Sequence, residues 1–236
     1  MLASLPSNSA SKQVALGPNG VLAGAKSGDI YIELSTVSPE VIHIIARQAA
    51  EKGVAVLDAP VSGGLDQRQE GTLSIMAGGD AKAVAKAMPV FKAFGDKVFH
   101  AGGSGTGATV KLINNMLAGI NMVATMEALV LGVKAGLSVQ TLKEVISASS
   151  GNNKQFEGLV DTISTRSPEP PHGQTANQGL HTIGKDVRLA NEMAQNLSVP
   201  VSLGSTALQP FLAGLANDWG NKDSVSYTHL TLPPKA

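Results

Sequence analysis

Residues 29–58, DIYIELSTVSPEVIHIIARQAAEKGVAVLD, carry the fold class. Asp29-Ile-Tyr-Ile-Glu-Leu34 reads as a strand, and Ser38-Pro39-Glu40 places a cap and an N1 proline ahead of a helix over 41–51. Val41, Ile44, Ile45 and Ala49 recur at helical spacing, and Gly53 ends the helix. Val54-Ala-Val-Leu-Asp58 follows as a short apolar strand of the kind buried in parallel sheets. Further on, 73–77 reads as a strand, Asp80 opens a helix to about Phe94, and 97–100 is a last strand. This rhythm predicts an α/β layer with crossover connections. It is expected to be an incomplete Rossmann-type doubly wound sheet, since the domain opens at a bare Leu5-Pro6 loop and offers few strands.

The character changes at Gly102-Gly-Ser-Gly-Thr-Gly107. One long apolar helix to about Gly136 comes next, then helical stretches at 138–149, 184–197 and 201–216, with no further strand. An all-helical domain joined through a glycine-rich elbow is expected. Segment 164–179, with Pro168, Pro170 and Pro171, reads as a loop, and 227–236 reads as an appended tail without helical period. The expected division is a partial dinucleotide-binding domain over 1–103, a helical substrate or dimerisation domain over 104–225, and a non-matching tail over 226–236.

Composition narrows the function classes. The chain has 236 residues, 43% hydrophobic and 15% charged, which is ordinary for a soluble globular protein. Lys plus Arg equals Asp plus Glu at 18 each, so no charge excess draws it to nucleic acid or acidic lipid. Aromatics, at 3%, are too few for base-stacking platforms. The absence of cysteine excludes disulfides, thiolate metal sites and a cysteine nucleophile, and fits a reducing, cytoplasmic setting. The apolar run 116–133 has the length of a membrane span, but Asn121 and Glu127 interrupt it and Lys111 and Lys134 flank it, so a buried helix is expected and no membrane. None of the five histidines pairs at metal-ligand spacing, and no metal is expected.

Four places have the chemistry to act. Asp58-Ala-Pro-Val-Ser62-Gly63-Gly64 follows directly on a strand, where open α/β sheets bind ligands; two glycines expose amides to an anion, and Ser62 adds a donor. A tight turn needing positive φ is an equal reading on spacing alone. Lys111, Asn114 and Asn115 lie on neighbouring parts of one helical face, costly on an apolar helix unless they meet a partner or ligand. A lysine so placed can act as a proton donor; a lysine snorkelling from the helix start, with both asparagines satisfied by loops, is the plainer alternative. Gly103-Ser-Gly105-Thr-Gly-Ala108 fits the dinucleotide fingerprint formally, but the acid twenty residues on, Glu127, lies in mid-helix with no strand after it, so a hinge is the better use of those glycines. Nucleotide binding at this loop would predict tight binding lost on Gly105→Val. Lys185-Asp186 is read as opening the next helix, where the lysine either reaches a cofactor or is simply solvated.

Together these pieces resemble the β-hydroxyacid dehydrogenase family over about residues 1–225. Ser4-Leu5-Pro6 resembles the loop after the family's fourth sheet strand, and Ser35-Thr36-Val-Ser-Pro39 its loop near the nicotinamide ribose. Asp58-Ala-Pro-Val-Ser-Gly-Gly64 with Gly71-Thr-Leu-Ser-Ile-Met-Ala-Gly-Gly79 resembles its substrate-loop signature. Gly107-x-x-x-Lys111-x-x-Asn114-Asn115 resembles its catalytic motif, and Lys185-Asp186 its late cofactor-contacting pair. The resemblance implies hydride transfer between NAD or NADP and a small carboxylate substrate. It makes Lys111 the general acid and base, Asn115 an orienting residue, and Ser62, Gly63 and Gly64 the carboxylate holders. Leu5, Pro6, Thr36 and Lys185 would contact the cofactor, and the helical half would pack copies into a dimer or tetramer. Asn114 stands where the phosphogluconate branch carries histidine, which argues against that activity. The family's glycine-rich βαβ unit, roughly 60 residues and more than one such unit needs, is not in this sequence, so weak cofactor binding and little activity are expected of this chain. The alternative is a non-catalytic helical dimerisation module or fragment.

Overall fold

The computed structural model describes residues 1–165 and 179–220. The proline-rich part of the expected 164–179 loop and the expected tail therefore lie outside the described residues. The chain divides into two compact units, Met1–Asn114 and Asn115–Ala236.

The first unit runs β1 (Leu2–Ala3), α1 (Asn8–Leu16), α2 (Val21–Gly24), β2 (Ile30–Glu33), α3 (Pro39–Ala50), β3 (Ala55–Asp58), β4 (Val61–Ser62), α4 (Leu65–Glu70), β5 (Leu73–Gly78), α5 (Ala81–Phe91) and β6 (Gly95–Gly102). Its sheet has the order β1-β2-β3-β5-β4, with β6 also on β5. Strands β1, β2 and β3 are parallel, β5 is antiparallel to β3 and β4, and β6 is parallel to β5. Helices cover both faces. Tyr31 and Val56 point into one core with Ala15, Val41, Ile42 and Ile45, while Ile32 and Leu57 point into the other with Ala83, Ala87 and Phe91. That period-two alternation between two buried faces is what makes β2 and β3 apolar up to their terminal acids.

The expected elements are present, with informative differences. Asp80 caps α5 by accepting from the Lys82 and Ala83 amides at 3.0 Å. Ser38 sits at the N-cap position of α3, yet its side chain makes no cap bond there. The buried stripe of α3 includes Ile42, and Ile44 is only half-buried. Strand β1, helix α1 and the β4–α4 excursion were not legible: a two-residue strand has no alternation, and α1 (NSASKQVAL) offers too few apolar positions for a stripe.

Helix α6 (Thr106–Lys134) starts in the first unit and continues into the second, where α7 (Val139–Ser147), α8 (Lys154–Thr165), α9 (Leu180–Asn196) and α10 (Ser202–Ala216) follow. No strand occurs among the described residues of that second unit beyond an isolated bridge at Gly179. Met122, Val123 and Met126 of α6 pack with Leu159, Leu180, Val187 and Phe211, and Leu129 packs with Leu142, Phe156 and Val160. Helix α8 was missed because its pattern runs into the polar segment after it. Helix α6 departs from the expectation of burial: in its most apolar stretch only 33% of the residues are buried. Ile113, Leu117 and Leu131 are 50%, 57% and 71% exposed. By length and composition alone it could cross a membrane.

Candidate active site

Strands β1 and β2 run in parallel with Ala3 opposite Glu33, so residues 4–8 and 34–38 leave the sheet side by side at its carboxyl edge, the edge where open α/β sheets bind ligands. Leu5 and Thr36 are half-buried there and Pro6 is exposed. The two loops are laced together: the Leu5 amide donates to Ser35 Oγ at 2.6 Å, and the Ser38 amide donates to Asn8 Oδ1 at 3.0 Å.

At the end of β3, Asp58 is fully buried and its carboxylate grips the start of α6. Oδ1 accepts from the Gly105 amide and Oδ2 from the Ala108 amide, each at 2.8 Å. Burial pushes this carboxyl above the ordinary Asp range, against the opposing pull of the Ala108, Gly105 and Gly107 amides. A Cβ on Gly107 would stand 2.2 Å from Met76 O and 2.4 Å from Asp58 O, so glycine here lets the helix rest directly on two strands. The glycine loop that mimics a dinucleotide fingerprint therefore already has its Gly105 and Ala108 amides engaged by an internal carboxyl group, and it does not fit a cofactor phosphate. Gly105 has φ +85°, and a Cβ on it would stand 2.5 Å from His43 Nε2. Gly105→Val would unseat the helix whether or not any ligand binds.

Ser62 ends β4, paired with Ser74 of β5, and is half-buried. Gly64 caps the short α4, and its amide donates to Gln67 Oε1 at 2.8 Å. One of the amides expected to face a substrate carboxylate is thus engaged by Gln67, a residue that no motif singles out.

Lys111 lies in the second turn of α6 and is half-buried, while Asn114 is exposed. In the second unit, Asn115 Nδ2 donates to Asp186 Oδ2 at 2.6 Å, and Lys185 Nζ pairs with Asp186 Oδ1 at 2.8 Å. The buried Asp186 side chain thus holds two of the expected site residues together. Lys185 does not open its helix: α9 begins at Leu180, which places the lysine in the second turn. Glu33, Asp58 and Asp186 are the polar residues whose roles were missed. For Glu33 and Asp58 the available signal was an acid closing an otherwise apolar strand (IYIE, AVLD), which is expensive to bury without donors.

A mixed sheet with paired loops at the carboxyl edge of its parallel strands, followed by a helical unit, is an architecture suited to a dinucleotide-dependent oxidoreductase of two units. The profile described as the NAD binding domain of 6-phosphogluconate dehydrogenase matches residues 1–103. That described as the NAD-binding region of NADP-dependent 3-hydroxyisobutyrate dehydrogenase matches residues 105–231. The chain is 38% identical over 220 residues to the 2-(hydroxymethyl)glutarate dehydrogenase of Eubacterium barkeri, covering 93% of this chain and 71% of that protein. It is also 38% identical over 213 residues to the 3-hydroxyisobutyrate dehydrogenase of Pseudomonas aeruginosa, covering 89% and 71%. The Mycobacterium tuberculosis 3-hydroxyisobutyrate dehydrogenase with L-serine superposes with a TM-score of 0.84 at 29% identity, covering 97% of this chain and 78% of that one. The chain belongs to the β-hydroxyacid dehydrogenase family. Its activity is hydride transfer between NAD or NADP and a small hydroxy acid, and the non-catalytic alternative is not favoured.

Proposed function

We propose that this chain interconverts 3-hydroxy acids carrying a primary alcohol beside the carboxylate-bearing carbon with the corresponding aldehydes, and that Lys111 handles the proton. The substrate class rests on what the relatives' names share. 2-(Hydroxymethyl)glutarate, 3-hydroxyisobutyrate and the L-serine bound in the mycobacterial structure all have a CH2OH group on the carbon next to a carboxylate. The observation that carries the reading is the anchoring of Lys111: it stands three residues after Ala108, whose amide is fixed on Asp58.

Bound nicotinamide supplies the acceptor for the hydride leaving the alcohol carbon. In oxidation Lys111 Nζ takes the hydroxyl proton as the C–H electron pair departs, leaving a carbonyl; in reduction the same amine returns the proton to the carbonyl oxygen. Ser62, Gly63 and Gly64 hold the substrate carboxylate, with Gln67 giving up the Gly64 amide when substrate arrives. Asn115 orients the substrate, kept in place by Asp186, and Leu5, Pro6, Thr36 and Lys185 contact the cofactor. Following absorbance of the reduced nicotinamide with NAD+ and NADP+ tests this. Turnover above background, however slow, is expected with at least one of 3-hydroxyisobutyrate, 2-(hydroxymethyl)glutarate and L-serine, and none with 6-phosphogluconate; the opposite pattern would end the proposal.

The open face of α6 is read as the surface where a second copy of this chain packs, in a reducing, cytoplasmic setting that suits a protein without cysteine. Support comes from the exposure of Leu117 and Leu131 on one of the most apolar helices of the chain. Light scattering is expected to give a dimer or larger species for the parent chain and a smaller one for Leu117→Glu/Leu131→Glu. A parent that stays monomeric at high concentration would reject it.

A further inference from the structure

We infer that Glu33 is a positioning residue for the cofactor, a buried carboxylate that sets the spacing of the loops after β1 and β2; this rests on the proposed contacts of Leu5, Pro6 and Thr36. Glu33 is fully buried at the carboxyl end of β2. Its Oε2 accepts from the Tyr31 hydroxyl at 2.8 Å, and its Oε1 accepts from the Ser35 amide at 3.1 Å and from the Ser35 hydroxyl. Ser35 Oγ in turn accepts from the Leu5 amide at 2.6 Å. Burial and the neighbouring Glu33 carboxylate hold the Tyr31 phenol well above its usual range, so it serves as a donor.

The direction of these bonds is what matters. A serine hydroxyl can rotate and either donate or accept. With its proton committed to Glu33, Ser35 presents lone pairs to the Leu5 amide and fixes residue 5 against residue 35, thirty positions apart. The Asn8–Ser38 bond ties the same loops a second time. Pro6 therefore lies between the ties at Leu5 and Asn8, and Thr36 between those at Ser35 and Ser38. An aliphatic side chain at position 33 would avoid the cost of a buried carboxylate and pack against the apolar neighbours of β2. It would also leave the Ser35 hydroxyl free to turn and the spacing of the loops undefined. Retaining an acid here makes sense if that spacing is used.

Titration calorimetry of the purified chain with NAD+ and NADP+, alongside urea unfolding and KM for a hydroxy acid, tests the inference. Ser35→Ala and Glu33→Ala are each expected to raise the dinucleotide Kd about tenfold, the equivalent of one to two hydrogen bonds, while the hydroxy acid KM moves little. Glu33→Gln, which keeps an acceptor in the same place, is expected to recover most of the affinity. Thr36→Val serves as the reference for the underlying reading. If it weakens dinucleotide binding while the Glu33 and Ser35 variants do not, the inference is wrong and the reading stands. If none of them alters Kd, both fail, as they do if the parent chain shows no saturable binding. Glu33 and Ser35 variants that lower the urea midpoint with Kd unchanged would reduce Glu33 to a folding role and overturn the inference. Weakened binding in those variants, restored in Glu33→Gln, upholds it; if Thr36→Val is then unaffected, the loops act through Leu5 and Pro6 and the Thr36 contact alone is removed from the reading.

Discussion

Lys111→Ala is expected to lower kcat with a hydroxy acid by about 10²- to 10⁴-fold, the usual contribution of a positioned acid–base group, with dinucleotide affinity and urea midpoint unchanged. Oxidation of an alcohol removes a hydride from carbon and a proton from oxygen. Without an amine at the oxygen, the reaction must pass through an uncompensated alkoxide or wait for water. Stability should hold because alanine is the best helix former and Lys111 is only half-buried on α6. Lys111→Arg separates charge from proton transfer. Arginine keeps the positive charge but does not release a proton at neutral pH, so it should be nearly as inactive as alanine. A kcat within tenfold of the parent for either variant would remove Lys111 from the chemistry.

Asp58→Ala is expected to destabilise the first unit by about 2–5 kcal/mol in urea unfolding. Its loss leaves the buried Gly105 and Ala108 amides without acceptors, each costing about 1–3 kcal/mol, with part returned by removing a buried charge. Amide exchange at Gly105 and Ala108 should accelerate with it, since the first turn of α6 loses its anchor. A loss below about 0.5 kcal/mol, the scatter of ordinary surface substitutions, would show that the bond carries nothing. The pH dependence has a definite sign. Burial holds the Asp58 carboxyl above the ordinary Asp range, so folding favours proton uptake at this group. The stability it contributes is then fully present below the unfolded value of about 3.9 and is lost as pH rises through the raised folded value. The difference between the parent and Asp58→Asn should narrow as pH is raised from about 4 toward neutral. A difference that widens over that range would contradict the assignment.

Much of this was legible from local pattern. The strand over 30–33, the helix that Ser38 and Pro39 introduce, and the Asp80 cap of α5 depend on residues within a few positions of one another, and all are present. The motif residues were legible as candidates by type and order, though spacing alone left a turn as good a reading of Ser62–Gly64 as a binding loop. Lys185 was misplaced by more than a turn because α9 begins at Leu180, ahead of the stripe that Val187, Leu189 and Ala190 mark. The openness of α6 was misread because hydropathy reports what a helix can bury, not what lies beside it.

The strands over 30–33, 55–58 and 73–78 and the helices that follow Ser38 and Asp80 came from the sequence by itself, because periodicity and caps act over one or two turns of chain. Which carboxylate holds which backbone did not. Ser35 meets Leu5 across 30 positions, Asp58 meets Gly105 across 47, and Asp186 meets Asn115 across 71. A hydrogen bond between residues so far apart leaves no local signature, since either partner alone is only an expensive polar group in an apolar setting, and folding alone decides what satisfies it.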